Sequence, residues 1–408
     1  MLSVLTVEQT IQLIAERIGP LGRTAQVPIE AACGRVLAED IAGTDYVPDF
    51  DRSTVDGYVV RAKDTFGASE ALPALLNLSG EILMGEAAPK ALSPDCCMAI
   101  PTGGAVPRGA DAVVMVEHSE AYGDGTIGIL KAVAPGDNMI YRGDDIRPGQ
   151  ILLKAGTVLA PQDIGTMAAM GRIAVKVAEK PRVGILSTGD ELIPAGETPK
   201  KGQIRDVNSH LLLALCTAAG AEAVSYGIIR DEEDRIGAAL DRAAAENDLV
   251  LISGGSSVGI KDATCRLIEE RGELWMHGIS MKPGKPTIMG MIGSKPVFGL
   301  PGHPAAAYFA ARMFVVPALR ALTGAMENEV TVSAVCTETI GANHGRTQFT
   351  AVTLQQSPEG LLATPIRSKS GLITGISAAD GFLVIPRDSE GVGAGQTVQV
   401  IRFQRLAL

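Results

Sequence analysis

The chain has 408 residues, and its 46% hydrophobic and 20% charged residues are typical of a globular protein with a large buried core. Its 36 basic and 46 acidic residues give a net charge of −10, and only 4% of the residues are aromatic. This balance argues against nucleic acid as the main partner, because that binding depends on a basic face and on aromatic side chains that stack on bases.

The sequence carries no recognisable targeting segment. No uncharged apolar run reaches the ~20 residues that span a bilayer, and the start, MLSVLTVEQT, lacks the basic residues of a secretory signal. The six cysteines are scattered without a C-x-x-C pair, which is typical of reduced thiols, although the neighbouring Cys96 and Cys97 leave a redox role open. We therefore expect a cytoplasmic protein with no membrane partner.

The first 180 residues mix helical and strand-like patterns. Thr6 and Gln9 have the spacing of a capping box, and apolar residues at helical spacing predict a helix over 7–18. Residues 46–141 contain short apolar runs broken by Gly, Pro and Asp, which predicts β-structure with functional loops. Residues 142–180 are expected to hold turns, a strand over 151–159 and a short helix near 161–170.

From residue 181 onward, strands and helices alternate. The predicted strands are 182–189, 223–229, 248–255 and 296–302. The predicted helices are 208–220 with Asn208 as N-cap, 234–247, 262–271 and a long helix that ends near 322. This alternation predicts a parallel sheet covered by helices on both faces. From about residue 327 the pattern is again β, which predicts a small barrel or sandwich.

The predicted fold is therefore a multidomain α/β protein with β-rich domains. A central three-layer α/β domain with a parallel-type sheet occupies 181–326, and a barrel-like β domain occupies 327–408. The β-rich residues 46–141 lie between two stretches of mixed helix and strand, 1–45 and 142–180.

Three loops follow the carboxyl ends of predicted strands, where open α/β sheets bind their ligands. They are 187–191, 253–259 and 299–304. The second is rich in glycine and serine and opens a helix, so its backbone N–H groups and the helix N-terminus favour a phosphate. Its sequence is neither G-x-G-x-x-G nor a P-loop. A tight strand-to-helix turn without a ligand is the alternative.

Acidic residues are expected at the same edge of the sheet, where the parallel strands have their carboxyl ends and which we call the rim. Asp190 and Glu191 belong to the first loop, Asp231 follows the 223–229 strand, and Asp262 follows the second loop. Carboxylates beside a phosphate require a cation between them, and Mg²⁺ is the ion that bridges one or two carboxylates to phosphate oxygens. The alternative is that Asp231 and Asp262 are helix caps or first-turn acids.

Other candidate residues lie in loops before and after this rim. The prolines of MKPGKP, at 281–286, stiffen a loop that presents Lys282 and Lys285, which favours an oxyanion or phosphate over a solvated turn. The loops 50–58, 101–111 and 142–145 precede the α/β domain, so a site that includes their polar residues forms between domains or subunits. No histidines have metal-ligand spacing, and His303 is the only one in a rim loop.

Eight motifs, in this order, resemble the MoeA family of molybdenum-cofactor biosynthesis, which includes the E domain of gephyrin. They are FDRSTVDGY, PTGGAVPRGADAVV, RGDDI, STGDEL, GQIRDVN, SGGSSVGIKD, MKPGKP and GLPGHP. The β-rich tail, with SKSGLITG and GFLVIP, is also similar to the last domain of the family. The resemblance thus covers nearly the whole chain.

The resemblance implies a molybdopterin molybdenumtransferase. Such an enzyme binds adenylylated molybdopterin and molybdate, releases AMP with the help of Mg²⁺, and leaves molybdenum on the dithiolene. It also implies a homodimer of four-domain subunits whose site lies between subunits, with residues 181–326 as the molybdopterin-binding domain. In this division an elongated N-terminal domain of helix and strand combines 1–45 with 142–180, and the β-rich domain 46–141 is inserted into it. Transient contacts with a molybdopterin adenylyltransferase and with recipient apo-enzymes are further expectations.

The same resemblance implies three groups of site residues. The catalytic group is Asp56, Thr102, Asp145, Glu191, Asp231, Lys282 and Lys285, with the first three supplied by the partner subunit. The residues expected to bind the pterin substrate are Thr188, Gly189, Ser253, Gly254, Gly255, Ser256, Ser257, Gly259, Pro301, Gly302 and Ser370. The expected Mg²⁺ ligands are Asp190, Glu191, Asp231 and Asp262.

The chain departs from the family pattern near the expected oxyanion site. The family commonly reads PGNPVS where this chain has PGHPAA, so the serine hydroxyl is missing at Ala306. The family often has an arginine after the aromatic residue of the first tail strand, but this chain reads QFTA there, up to Ala351. The segment before RGDDI also contains fewer arginines than in the family. The residues expected to compensate are Arg367, Ser368, Lys369 or Ser370.

Three alternatives stay open at this point. A tungsten-inserting paralogue would explain the altered oxyanion site. An enzyme like molybdopterin adenylyltransferase is disfavoured by the large flanking β-regions, because the α/β domain alone would suffice for that chemistry. A non-catalytic molybdopterin-binding scaffold is the third.

Overall fold

The computed structural model describes residues 4–254, 258–326, 329–342 and 344–403. Within these ranges the strands form three six-stranded sheets and several two-stranded pairs. The α-helices are Val7–Arg17, Pro161–Ala169, Asn208–Ala218, Glu233–Glu246, Val258–Arg271, Pro304–Ala310, Val316–Thr323 and Thr374–Ser377, and a π-helical turn, Ala311–Val315, joins the sixth to the seventh. Short 3₁₀ turns are Ile29–Ala31, Ala62–Thr65 and Val116–His118.

The first helix, Val7–Arg17, begins at the predicted capping box. The Thr6 hydroxyl accepts from the Gln9 backbone N–H, and the Gln9 side chain accepts from the Thr6 N–H. The buried face of the helix, with Ile14, packs into the same hydrophobic cluster as Phe314 of the π-helical turn. The helix therefore packs on the α/β region, whereas the sequence-based division groups residues 1–45 with the N-terminal domain.

Two-stranded pairs connect the rest of the N-terminal region with residues 139–178. The strand Thr24–Pro28 pairs antiparallel with Ala174–Ala178, and Ile41–Ala42 pairs with Ile151–Leu153. A separate core fills the space between them, and it consists of Ile29, Ala32, Leu37, Ile41, Leu159, Met167, Val175 and Val177. The predicted strand over 151–159 is thus limited to its first three residues.

Residues 46–141 are β-rich, as predicted. A six-stranded sheet contains Gly57–Val60, Ala74–Glu81, Cys96–Ile100, Ala112–Met115, Ser119–Ala121 and Thr126–Ile129. A short pair, Arg52–Ser53 with Met139–Ile140, lies beside it. Because successive residues of a strand point to opposite faces, Cys97 is buried while its neighbour Cys96 is only half-buried. Burial raises the pKa of the Cys97 thiol to about 12. Cys97 is therefore a buried thiol whose environment disfavours the reactive thiolate, which argues against a redox role for Cys97.

The central sheet is mixed rather than purely parallel. Its order is Glu222–Ile229, Arg182–Thr188, Leu249–Gly254, Lys295–Leu300, Ile288–Ile292 and Gly272–His277. The first four strands are parallel to one another, and each of the last two pairs antiparallel with the strand before it in this order. The sequence-based prediction of a parallel sheet missed these two strands, because Gly272–His277 follows the helix Val258–Arg271 directly. A two-stranded extension, Leu192–Ile193 with Ile204–Arg205, follows the second strand of the sheet.

The long helical segment Pro304–Thr323 fills the space between this sheet and the C-terminal domain. By length and composition it is apolar enough to cross a membrane, but 67% of its apolar window is buried within the fold. Among the described residues it is the one helix that meets that criterion. Its Phe309 ring stacks on Phe349 of the C-terminal domain, with ring centroids 5.6 Å apart. The two domains therefore share one hydrophobic core.

The C-terminal domain contains a closed five-stranded barrel. The strands follow the order Thr347–Ser357, Gly360–Pro365, Thr331–Cys336, Thr397–Arg402 and Gly381–Ile385, and the last pairs again with the first. A short pair, Ile340–Gly341 with Gly391–Val392, closes one side. Met281–Lys282 adds parallel to Thr347 and Gln348, so the loop that carries both candidate lysines is attached directly to the barrel.

Candidate functional site

The candidate site begins where two neighbouring parallel strands end. Thr188 pairs with Gly254, and a Cβ atom at Gly254 would lie 2.0 Å from the Thr188 carbonyl oxygen, so only glycine fits there. Gly254 also has a φ of +135°, which other residues rarely adopt. The predicted glycine-rich loop thus starts at a point of close backbone approach.

The rest of that loop is only partly defined. The predicted positions Gly255, Ser256 and Ser257 lie outside the described residues, and Gly259 lies in the first turn of the helix Val258–Arg271. This helix begins four residues earlier than predicted from the sequence, so Asp262 lies within it and not at its start. The Asp262 side chain is exposed, and its negative charge contributes to raising the pKa of Arg266.

Buried polar atoms line the strand ends. Ser187 and Thr188 are each 1% exposed, and their hydroxyl oxygens have no hydrogen-bond partner among the described residues. Ser253 is equally buried, but its hydroxyl accepts from the Asn208 amide over 2.8 Å. Since unpaired buried polar atoms are costly, these two hydroxyls are candidates for a contact with a polar ligand at the rim.

Asn208 lies at the rim and makes tertiary contacts there instead of the N-cap contact that the sequence predicts. It was predicted as a helix N-cap, but it is the first helical residue, and Asp206 caps the helix by accepting from the Ser209 N–H over 3.1 Å. Its Nδ2 donates to the carbonyl of Gly302 over 2.9 Å as well as to Ser253. It therefore connects the second and third rim loops.

Three of the predicted carboxylates form a group at the end of the outer strands. Burial raises the pKa of Asp231, and the negative charges of Asp190 and Glu191 raise it further. The Asp231 N–H donates to the Asp190 carboxylate, while the Asp231 Oδ1 is buried and has no partner in the part of the chain that the structure describes. The Glu191 carboxylate lies over the Cα of Gly189, so a Cβ there would meet its Oε2 at 2.8 Å.

A bound cation would reduce the repulsion among these three carboxylates. Among the described residues, no group of three or more His, Cys, Asp or Glu side chains has the arrangement to hold a metal ion alone. Mg²⁺, however, is usually held by one or two carboxylates together with substrate phosphates and water. The Asp231 oxygen, without a partner within the described ranges and beside two other carboxylates, fits such a shared site. The position of Asp262 adds no support.

Two cavities flank the Thr188–Gly254 pair. The first, which we call the edge cavity, has a volume of about 960 Å³ and is lined by Gly189, Asp190, Asp206, Ser209, His210, Arg230 and Glu232, among others. Apart from Gly189 and Asp190, these residues were not predicted. The motif that contains Asp206, GQIRDVN, was recognised only as a motif, although its position between a rim loop and a helix places it at the strand ends.

The second cavity, the basic cavity, has a volume of about 1090 Å³ and lies between the central sheet and the barrel. It brings together Gly254, Lys282, Lys285, Pro301, Gly302 and Ser370 of the predicted set. Its charged lining residues are all cationic in the described part of the chain: Lys282, Lys285, Arg346, Arg367 and Lys369. Such a surface attracts an anion.

The remaining predicted residues, Asp56, Thr102 and Asp145, belong to the N-terminal half of the chain, where Asp56 and Thr102 are in contact. The Thr102 N–H and hydroxyl donate to the Asp56 carboxylate over 2.6 and 2.9 Å, and these bonds lower the pKa of Asp56. The Asp145 N–H donates to the Val47 carbonyl. All three side chains are exposed. The hydrogen bonds found for them among the described residues remain within 47–145 and do not reach the rim.

Three family models match the chain in sequence order. The MoeA N-terminal region (domain I and II) matches residues 5–171, a probable molybdopterin-binding domain matches 184–321, and the MoeA C-terminal region (domain IV) matches 333–403. Together they cover most of the chain.

Individual relatives match over nearly the full length. A molybdopterin molybdenumtransferase of Bacillus subtilis is 34% identical over 93% of this chain and 90% of its own. Molybdopterin molybdenumtransferase 2 of Mycobacterium tuberculosis is 33% identical over 97% and 98% of the two chains. A crystal structure of the molybdopterin biosynthesis moeA protein of Pyrococcus horikoshii is 34% identical, with a TM-score of 0.87 over 98% of this chain and 100% of the other.

Proposed function

The chain belongs to the MoeA family, and from this membership we propose that it is a molybdopterin molybdenumtransferase. Its substrates would be adenylylated molybdopterin and molybdate. An oxygen supplied by molybdate or water would cleave the phosphoanhydride bond and release AMP. Molybdenum would bind the two dithiolene sulfurs of the pterin, and the displaced oxo oxygen would leave as water. The observation that carries the proposal is the meeting of a carboxylate group and a cation-lined cavity at the Thr188–Gly254 strand ends.

The strand ends would hold the phosphate of the pterin. The hydroxyls of Ser187 and Thr188, which have no partner among the described residues, would donate to phosphate oxygens. Because Gly254 has no side chain, the backbone at this strand end can approach a phosphate closely. The following helix adds the partial positive charge of its N-terminus. Gly255, Ser256, Ser257 and Gly259 belong to the same proposed cradle on the strength of the sequence.

Asp190, Glu191 and Asp231 would hold Mg²⁺ together with phosphate oxygens, with Asp262 as a proposed fourth ligand from the sequence. When bound, Mg²⁺ stabilises the negative charge that develops as AMP leaves. The chain itself contributes the fixed placement of these carboxylates, because Asp190 is held by the Asp231 N–H. Their mutual repulsion in the free protein favours cation binding.

The basic cavity would bind the metal oxyanion. Lys282 and Lys285 face it from a loop that is attached to the barrel, and their charges would neutralise the oxyanion. Ala306 and Ala351, which replace polar residues of the family, are buried in its wall at 4% and 8% exposure. Arg367, Ser368, Lys369 and Ser370 line the same cavity. The proposed compensating role is best supported for Lys369 and Ser370, because Arg367 pairs with Glu338 and the Ser368 hydroxyl donates to the Lys369 carbonyl.

Asp56, Thr102 and Asp145 would complete the site from the partner subunit of a cytoplasmic homodimer. Their exposure, and hydrogen bonds that stay within their own region, support a role toward another surface. The ionised Asp56 would then act as a hydrogen-bond acceptor or base, and the Thr102 contacts would keep it charged. Transient contact with a molybdopterin adenylyltransferase and with recipient apo-enzymes is part of this proposal.

The proposal is tested with purified protein, adenylylated molybdopterin and Mg²⁺, with molybdate or tungstate in separate reactions. We expect AMP release coupled to metal incorporation, measured by chromatography and by metal analysis of the pterin product. Metal incorporation from tungstate alone would identify a tungsten-inserting enzyme. Adenylylation of molybdopterin from ATP would identify an adenylyltransferase, and pterin binding without AMP release would identify a scaffold.

A further inference from the structure

His303 lies where the α/β domain meets the barrel. Its Nδ1 is 2.9 Å from the hydroxyl of Ser370, and the Ala305 N–H donates to the Ser370 carbonyl over 3.1 Å. Both His303 and Ser370 line the basic cavity. The contact therefore joins the third rim loop to the barrel segment that carries Arg367 and Lys369.

The chemistry of this pair leaves a hydrogen for a ligand in either neutral tautomer. If Nδ1 carries the ring proton, it donates to the Ser370 oxygen, and the serine O–H is available to an anion. If the serine O–H donates to Nδ1, the ring proton is on Nε2, which is then available. In both cases the pair presents an uncharged N–H or O–H donor at the wall of a cation-lined cavity.

The neighbouring wall makes this donor significant. Ala306 and Ala351 contribute no polar side-chain atoms, and the Ser368 hydroxyl donates to the Lys369 carbonyl. Lysine and arginine charges attract any anion, but the directional donors of a cavity discriminate by the positions of acceptor oxygens. A donor pair at the domain junction is thus suited to recognise a tetrahedral oxyanion.

From these contacts we infer that His303 and Ser370 act as one donor pair that determines oxyanion affinity in the basic cavity. This inference rests on the proposed function of that cavity. Because the two residues belong to different domains, the bound oxyanion also bridges the α/β domain and the barrel. His303 replaces an asparagine of the family pattern, so this chain uses an imidazole where the family commonly has an amide.

A double-mutant cycle tests the pair directly. Molybdate binding is measured by isothermal titration calorimetry for the wild type, His303→Ala, Ser370→Ala and the double variant. A hydrogen bond to a charged group contributes about 1.5–3 kcal/mol, so each single variant should lose about tenfold or more in affinity. Since the residues act as a unit, the double variant should lose little more than either single variant.

Controls separate this inference from the proposed function. His118→Ala changes a histidine in the N-terminal β-rich sheet region and should bind molybdate like the wild type. Lys282→Ala, which removes a cavity charge, should weaken binding. Wild-type affinity in His303→Ala, or losses that simply add in the double variant, would overturn the donor pair alone. No molybdate binding by the wild type would overturn the oxyanion site itself and with it the pair.

Discussion

The side-chain amide of Asn208 donates to the hydroxyl of Ser253 over 2.8 Å, and this contact joins a helix start to the end of a neighbouring strand. The same amide nitrogen reaches the carbonyls of Gly302 and Pro301 at 2.9 and 3.4 Å. Asn208 is only 7% exposed. One buried side chain thus sets the relative positions of two rim loops, one on each side of the proposed phosphate.

Asn208→Ala should therefore impair catalysis more than folding. The substitution leaves the Ser253 hydroxyl and two carbonyls without this donor, which should cost about 1–3 kcal/mol in the free energy of unfolding. Misplaced rim loops should lower kcat for AMP release at least tenfold, because such catalysis depends on positioning. Urea unfolding and steady-state kinetics measure both effects. Asn208→Asp, which keeps the shape but loses the donor, should be no better; a fully active Asp variant would show that the donor is dispensable.

The three rim carboxylates should lower the free energy of unfolding, although the reaction needs them. Burial and the charges of Asp190 and Glu191 raise the pKa of Asp231, so the native state pays a cost for keeping the three groups ionised together at neutral pH. We expect Asp190→Asn and Glu191→Gln to abolish AMP release while the free energy of unfolding stays equal or rises slightly. Glu222→Gln, at the opposite end of the strand that leads to Asp231, is the matched control and should keep full activity. Unchanged turnover in the two rim variants would remove these carboxylates from the mechanism.

The Asp56–Thr102 contact leads to a prediction about assembly. If these residues complete the site of a partner subunit, Asp56→Asn and Asp190→Asn should each be inactive alone. Mixed dimers of the two variants would contain one site without either substitution, because the two faces of a twofold interface are exchanged. Coexpression should then restore about a quarter of wild-type activity for random pairing. Continued inactivity of isolated mixed dimers would mean that both residues serve the same subunit.

Much of the local structure followed from the sequence, whereas the cavities did not. The capping box at Thr6 and the apolar run ending at Thr188 each determine their element through neighbouring residues. The basic cavity depends on contacts such as Lys282 beside Gln348, which are remote in the chain and form only when the barrel closes. The role of Asn208 was missed for the same reason. Its local preference for an N-cap is overridden because Asp206 already caps the helix, which frees the amide for tertiary contacts.

An ion pair between the half-exposed Arg23 and the buried Asp248 connects the N-terminal region to the α/β domain and should make the stability of the protein depend on pH. The Asp248 side chain is 4% exposed and accepts from both terminal nitrogens of Arg23, at 3.0 and 2.6 Å, and from the Arg182 N–H. Burial alone would raise the pKa of Asp248, but these bonds and the nearby Lys295 charge lower it to about 2. Because the folded-state pKa lies below the ordinary 3.8, the stabilisation is complete above pH 3.8 and is lost as the pH falls toward 2.

Asp248→Asn should remove this pH dependence. We expect a loss of about 1–2 kcal/mol at neutral pH, a reduced value because Arg23 is 42% exposed and partly screened by solvent. The first urea-unfolding transition, followed at pH 7 and near pH 3, measures the change. Asp241→Asn is the matched control, since Asp241 is a 55% exposed partner of Arg271 and its loss should cost less than about 1 kcal/mol. If Asp248→Asn keeps the wild-type decline in stability below pH 4, another carboxylate is responsible, and the Arg23–Asp248 pair does not hold the two regions together.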